Sequence, residues 1–169
     1  MVTRFNRGDI HALREIYDLY KQDCLGLALA LIHESANAED VVHDVFARMA
    51  DTAKPLRIRD NLRGYLLTAV ANGARQWLRR QHDRSRDLPA TQGHYEPPEE
   101  TIILNERQQR LTQALKQLPY EQQEVLVLRY FGGLTLKAIA RSQKVSINTV
   151  QGRYRYGVEK LRSYLGGDL

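Results

Sequence analysis

Between Leu118 and Leu165 the chain carries a succession of helix stops and starts that few folds can satisfy. Pro119 opens an amphipathic segment, Glu121 to Phe131, in which Val125, Leu126, Leu128 and Tyr130 are apolar. Gly132-Gly133 then ends it, because glycine takes the left-handed backbone that closes a helix. A short helix follows with Thr135 as its N-cap and Ile139 and Ala140 inward, and a tight turn at Gln143-Lys144-Val145 leads to a second cap, Ser146. A serine hydroxyl there accepts one of the orphan N–H groups of the new helix. Ile147, Val150, Tyr154, Val158, Leu161 and Leu165 recur at helical spacing and predict a buried stripe. The other face presents Asn148, Gln151, Gly152, Arg153, Arg155 and Tyr156. The pattern predicts a helix-turn-helix with a supporting helix in front. Amide and guanidinium donors suit a reader of the DNA major groove, where bases differ by donor and acceptor pattern. A plain helical bundle with a solvated basic face is the bland alternative. The run of caps and the small Ala140 at a helix crossing weigh against it.

The N-terminal half is helical as well. Asp9 caps a long helix whose Ile10, Leu13, Ile16, Tyr17, Tyr20, Cys24, Leu27 and Leu31 mark one face. Asn37 is expected to cap a second helix, with Val41, Val42, Val45, Phe46 and Met49 inward and Glu39, Asp40, His43, Asp44 and Arg48 outward. That outer face is acidic, which makes it a poor DNA surface and a plausible protein-docking one. A third long helix, from about Asn61, has a regular stripe of Leu62, Tyr65, Leu66, Ala69, Val70, Ala74, Trp77 and Leu78. It ends on Arg75, Arg79, Arg80 and Arg84. The helix dipole favours cations there, but four arginines exceed that need, and phosphate contact accounts for the excess.

Residues 85–100 lack periodicity and contain Pro89, Gly93, Pro97 and Pro98, the composition of a linker. The fold expected is therefore all-α: a helical module over residues 1–84, a flexible linker over 85–100 and a helix-turn-helix module over 101–169. Charge is uneven along nearly the same division, +2, −3 and +6 for residues 1–84, 85–104 and 105–169. A polyanionic partner is expected chiefly for the last part. No apolar run reaches membrane-spanning length, and the N-terminus lacks the apolar core of a signal peptide. Cys24, the single cysteine, allows no intrachain disulfide and suits a reducing cytoplasm. Its position on an apolar face reads as a small buried hydrophobe. The five histidines have no metal-ligand spacing with Cys24, and no acidic pair sits beside a basic cleft. Neither a metal, a cofactor nor an enzymatic activity is expected.

In this order the parts resemble a bacterial sigma factor of the extracytoplasmic-function (ECF) group, over nearly the whole chain. Ala38–Phe46 (AEDVVHDVF) is similar to the core-polymerase-binding signature of sigma region 2. Asn61–Arg80 (NLRGYLLTAVANGARQWLRR) is similar to the helix that melts the promoter and reads its −10 element. LPYEQQEVLVLRYFGGLTLKAIA with NTVQGRYR resembles region 4, reader of the −35 element. The resemblance implies a transcription initiation factor whose partners are core RNA polymerase, through its β′ clamp and β flap, promoter DNA and an anti-sigma factor. By position, Asp40, Val41, Asp44, Val45 and Phe46 would face the clamp. Asn72, with the loop from Leu56 to Asp60, would line a pocket for a flipped base, and Arg75, Arg79 and Arg80 would hold −10 DNA. Asn148, Thr149, Gln151, Gly152, Arg155 and Tyr156 would read the −35 element, with Arg153 turned more towards phosphate or core packing. The sequence departs from the family at Arg48-Met49-Ala50, Gln76, Gly152 and Lys144, the last in a turn usually held by glycine. Other readings are a free-standing helix-turn-helix regulator, which would need a receiver or ligand domain, and a small nucleic-acid enzyme such as a recombinase.

Overall fold

A computed structural model describes residues 1–51, 61–87 and 106–166, and the regular structure of these residues is entirely helical. The expected linker beyond residue 87, the loop from Leu56 to Asp60 and the start of the helix expected at Thr101 lie outside the described residues. Helix α1 (Val2–Asn6) is short, and periodicity gives no sign of it. It turns through Gly8 into α2 (Ile10–Ile32), capped as expected by Asp9, whose carboxylate accepts from the His11 amide at 2.9 Å. Arg4 ties the turn together through Asp9 and Glu15, both at 2.8 Å.

Helix α3 (Ser35–Ala50) starts earlier than the sequence suggests. His33 takes a left-handed conformation, φ 63°, and reverses the chain within two residues, so the new helix begins at Ser35. Asn37 therefore lies inside the first turn and is not the cap; Glu34 precedes the helix without a side-chain bond. Helix α4 (Leu62–Asp87) is capped by Asn61, whose Oδ1 accepts from the Gly64 amide at 2.8 Å. Ile16, Leu27 and Leu31 of α2, Val41, Val42, Val45, Phe46 and Met49 of α3, and Leu66, Leu67, Val70 and Ala74 of α4 interlock as one core. Gly73 lets α3 and α4 close up, since a Cβ there would lie 2.8 Å from a Val41 methyl.

The second half comprises α5 (Glu106–Lys116), α6 (Tyr120–Leu126), α7 (Leu136–Gln143) and α8 (Ile147–Tyr164). Helix α6 widens at its end into a π-helical turn, Val127–Phe131. Gly132 and Gly133 end it for two reasons. A Cβ on Gly132 would meet the Leu128 carbonyl at 2.6 Å, and Gly133 has φ +66°. Both predicted caps form: Thr135 accepts from Ala138 N at 3.2 Å and Ser146 from Thr149 N at 3.0 Å. Lys144 does hold the left-handed turn position, φ 55°. Helix α8 crosses α6 closely at Gly157, where a Cβ would sit 3.3 Å from Leu126 and 3.4 Å from Gln122. Ile147, expected in the buried stripe, is 39% exposed, whereas Val150 and Leu161 are buried.

The halves share more than a chain. Val125, Val127, Leu128, Leu134, Ile139, Ala140 and Val150 belong to the same buried cluster as the core of α2–α4. A smaller cluster, Ala114, Leu118, Leu126 and Leu161, sits apart under α5 and α8.

Candidate nucleic-acid and protein interfaces

The outward face of α8 stands as the sequence places it. Asn148, Thr149, Gln151, Arg155 and Tyr156 are exposed, and nothing lies within 4 Å of where a Gly152 side chain would begin. Gly152 leaves a gap in the row that a base edge or a phosphate can approach. Arg155 lies over the Tyr156 ring, 4.9 Å from its centroid, and donates to the phenol oxygen at 3.2 Å. These contacts are solvent-exposed, so they orient the guanidinium without fixing it. The Thr149 hydroxyl shares a 2.8 Å hydrogen bond with Ser146 and so belongs partly to the cap.

Arg153 behaves differently from its neighbours. It is half-buried, and its Nη1 donates to Gln143 Oε1 at 2.7 Å. Gln143 Nε2 in turn donates to Glu124 Oε2 at 3.0 Å. Of the two roles expected for Arg153, phosphate contact or core packing, the structure shows the second: it fastens α8 to α7. Glu124 is 1% exposed. Burial pushes its carboxyl above the ordinary range, while Arg75, Gln143 and the charge of Arg153 pull it back.

On α4, Arg79 and Arg80 are exposed near the basic end of the helix, as phosphate ligands must be. Arg75 is engaged elsewhere. One of its Nη atoms bonds Glu124 and the other donates to Asn72 Oδ1 at 3.1 Å. The expectation that Arg75 stands free for DNA is therefore not met in this arrangement, because a buried carboxylate from the other half holds it. Asn72 also lines a cleft of about 320 Å³ between α3 and α4, with Val45, Arg48, Tyr65, Gly73 and Gln76 among its walls. A half-exposed tyrosine, two amides and a guanidinium can stack on and hydrogen-bond an unstacked base.

On α3, Glu39, Asp40, His43, Asp44 and Arg48 are all exposed and form a ridge. Val41, Val45 and Phe46, expected to face the clamp, do not: they are 6%, 3% and 6% exposed and point into the core. Phe46 packs edge-on against Tyr17, ring centroids 4.9 Å apart. Helical period accounts for much of this, since positions 45 and 46 turn away from 40 and 44, while 41 lies at the boundary between the two sides. Of the five docking candidates only Asp40 and Asp44 have exposed side chains.

Sequence reasoning missed three residues of consequence: Arg63, Gln123 and Glu124. Glu124 ends the polar stretch Glu121–Glu124 just before an apolar run and reads as solvated, and its partners come from positions 75 and 143, too far along the chain for any local pattern. Among the described residues no group of three His, Cys, Asp or Glu side chains could hold a metal ion, and no helix is long and apolar enough to cross a membrane.

Comparison with known proteins agrees with this geometry. Residues 16–84 match the family model of sigma-70 region 2 and residues 114–163 that of sigma-70 region 4. The chain is 28% identical over 171 residues to the RNA polymerase sigma-H factor of Pseudomonas aeruginosa, covering 90% of this chain and 86% of the relative. It is 23% identical over 158 residues to the ECF RNA polymerase sigma factor SigX of Bacillus subtilis, covering 89% and 81%. Among solved structures, the sigma factor RpoE in complex with the anti-sigma factor NepR from Bartonella quintana has a similar fold, with TM-score 0.73 and 20% identity over 95% of this chain and 100% of that one.

Proposed function

The chain belongs to the extracytoplasmic-function group of the sigma-70 family, transcription initiation factors that direct RNA polymerase to promoters, and we propose how its residues divide that work. Residues 1–84 act as the unit that docks on core polymerase and engages the −10 element. Residues 85–100 act as the connector, and residues 101–169 read the −35 element. Asp40 and Asp44 carry the docking charge; Val41, Val45 and Phe46 support the helix from below. Asn72 and its cleft take an unstacked base of the melted strand, and Arg79 and Arg80 hold phosphates. Asn148, Gln151, Arg155 and Tyr156 meet base edges, Gly152 admits the backbone close by, and Thr149 lies at the helix start beside a phosphate.

This function is binding without catalysis, and a cytoplasmic site of action follows from its two partners. An anti-sigma factor is a further expected partner, as one is for the structural relative. The observation that carries the assignment is the row of exposed donors on α8, set at one end by the Ser146 cap and beneath by the Arg153–Gln143–Glu124 chain. Run-off transcription by core polymerase on a randomised promoter library, with and without the purified chain, tests it. Transcripts should depend on the chain and converge on one −35/−10 pair. Free-standing regulation of a polymerase already carrying another sigma factor would instead leave the start sites unchanged.

A further inference from the structure

Among the described residues Tyr130 is the most exposed large hydrophobic side chain, at 68%. Leu126, one turn earlier on α6, is 2% exposed beneath Gly157 of α8. The change falls within the π-helical turn, where the Gly132 amide donates to the Val127 carbonyl at 3.0 Å. Turns of this kind are rare and recur at functional sites. Next to Tyr130, Phe131 rests on Gly26 of α2, where a Cβ would lie 2.7 Å from its Cζ atom. Arg63 donates to the Gly132 and Phe131 carbonyls at 2.9 and 3.3 Å. Those neighbours face the first half, whereas Tyr130 faces α8 and solvent. Its hydroxyl shares a 2.7 Å hydrogen bond with that of Tyr154, and the two rings lie 6.1 Å apart at 29°. A hydroxyl pair that only staples the turn to α8 is the plain reading. Two further observations go past it.

The first is the donor set. The charges of Arg129 and Arg162 both reach the Tyr130 phenol. Arg129 is turned back to the Leu134 carbonyl at 3.1 Å, while Arg162 is exposed. The hydrogen bond to Tyr154 holds the Tyr130 phenol above its ordinary pKa, so it keeps its proton. With Tyr154 donating within the pair, the Tyr130 O–H is left to donate outward. A free O–H and a nearby guanidinium suit an anion with several oxygens. The second is helical phase. At about 100° per residue, Gln151, Arg155 and Arg162 fall within about 40° of one another, and Tyr154 lies about 60° to the side of Gln151. The pair therefore flanks the base-reading face. From Asn148 to Tyr156 that face spans about 12 Å, close to the width of the major groove, whereas the eighteen residues of α8 run about 27 Å. A helix that reads bases with its first half leaves the groove with its second and passes a sugar–phosphate strand. Glu159, the one carboxylate of α8, lies about 140° from Tyr154, on the opposite flank.

We propose that Tyr130, oriented by Tyr154 and accompanied by Arg162, is a binding site for one backbone phosphate of promoter DNA beside the −35 element, and that it sets the angle at which α8 lies in the groove. Tyr130 donates its O–H to a phosphate oxygen, Arg162 supplies the counter-charge, and Tyr154 is a positioning residue. The inference rests on the promoter-reading function above, and its test separates the two. Core polymerase carrying the full chain is bound to promoter duplexes in which each phosphate around the −35 element is replaced in turn by an uncharged methylphosphonate. One position should cost the wild type about tenfold in affinity, as for loss of a hydrogen bond to a charged group. Tyr130→Phe should be about tenfold weaker on ordinary DNA and lose nothing further at that position. Arg162→Ala should lose nothing further there either, and should lower the slope of log affinity against log salt by about 1. Tyr154→Phe should fall between the wild type and Tyr130→Phe. Base preference should stay the same in all three, since phosphates carry no sequence. A mere staple predicts otherwise: Tyr130→Phe and Tyr154→Phe, which remove the same bond, would melt earlier by the same amount, and their losses would add to that of every methylphosphonate. That result, or an altered −35 preference, would overturn the proposal while chain-dependent promoter binding stood. Promoter binding by core polymerase that is indifferent to the chain would overturn the function above and the phosphate site with it.

Discussion

Phe46 and Asp44 are two residues apart, and replacing each in turn separates support of the docking helix from docking itself. Phe46 is 6% exposed and stacks edge-on against Tyr17. Truncation to alanine should cost about 3–5 kcal/mol, the usual range for a buried phenylalanine, including the cavity it leaves. For a chain of 169 residues unfolding as one unit, that lowers the melting temperature by about 10 °C. Asp44 is exposed, and Arg48 bonds its backbone carbonyl at 3.1 Å rather than its carboxylate. Asp44→Arg should therefore shift stability by less than about 0.5 kcal/mol, from like charges four residues apart. It should nevertheless abolish capture by core polymerase, by setting a cation against a basic clamp surface. Thermal melts and co-purification with core polymerase on the same preparations decide the matter. Phe46→Ala should melt early yet bind core below its melting temperature, and Asp44→Arg should do the reverse. A Phe46→Ala protein that melts like the wild type and fails to bind core would show that Phe46 is a contact residue and not a support of the helix.

Three further outcomes are expected. Arg155→Ala should cost about 1–3 kcal/mol of promoter binding and relax one position of the −35 element, whereas Arg79→Ala should weaken all sequences alike and lessen the salt dependence; equal losses on every sequence for both would erase the distinction between base and phosphate contact. Lys144→Gly should stabilise the second half by about 1 kcal/mol in a denaturant melt, because it removes the left-handed strain at φ 55°, and destabilisation would mean that the lysine makes up for its backbone elsewhere. Acid should destabilise the fold: burial, together with Lys116, pushes His33 down to about 4 from 6.5, so the unfolded chain takes up the proton first. The stabilisation is complete above about pH 6.5 and is lost as pH falls through 4, by no more than about 2 kcal/mol once solvent screening of a half-exposed ring is allowed for. His33→Gln should flatten that part of the stability profile, and an unchanged slope would place the titration elsewhere.

What the sequence determined by itself is local. Caps at Asp9, Thr135 and Ser146, the break at Gly132-Gly133 and the strained turn at Lys144 all depend on interactions within four residues, and each was legible. So was the exposed row on α8, because helical period alone assigns it a side. Asn37 misled because the choice of cap was settled by the reversal at His33, whose geometry depends on where α3 must return along α2. Ile147 and Ile10 have the right phase for burial but are 39% and 62% exposed; phase gives a direction, and only packing supplies a neighbour. The family resemblance grouped Val41, Val45 and Phe46 with Asp40 and Asp44 by their adjacency in sequence, and the fold divided them between core and surface. Tertiary structure alone decided that Glu124 takes Arg75, that Arg63 closes over Gly132, and that a glycine at 26 is filled by Phe131. Those partners are 49, 69 and 105 positions apart along the chain, and no periodicity or cap carries information over such distances. A buried charge or a missing side chain is specified by whatever fills the space opposite, which only the assembled fold provides.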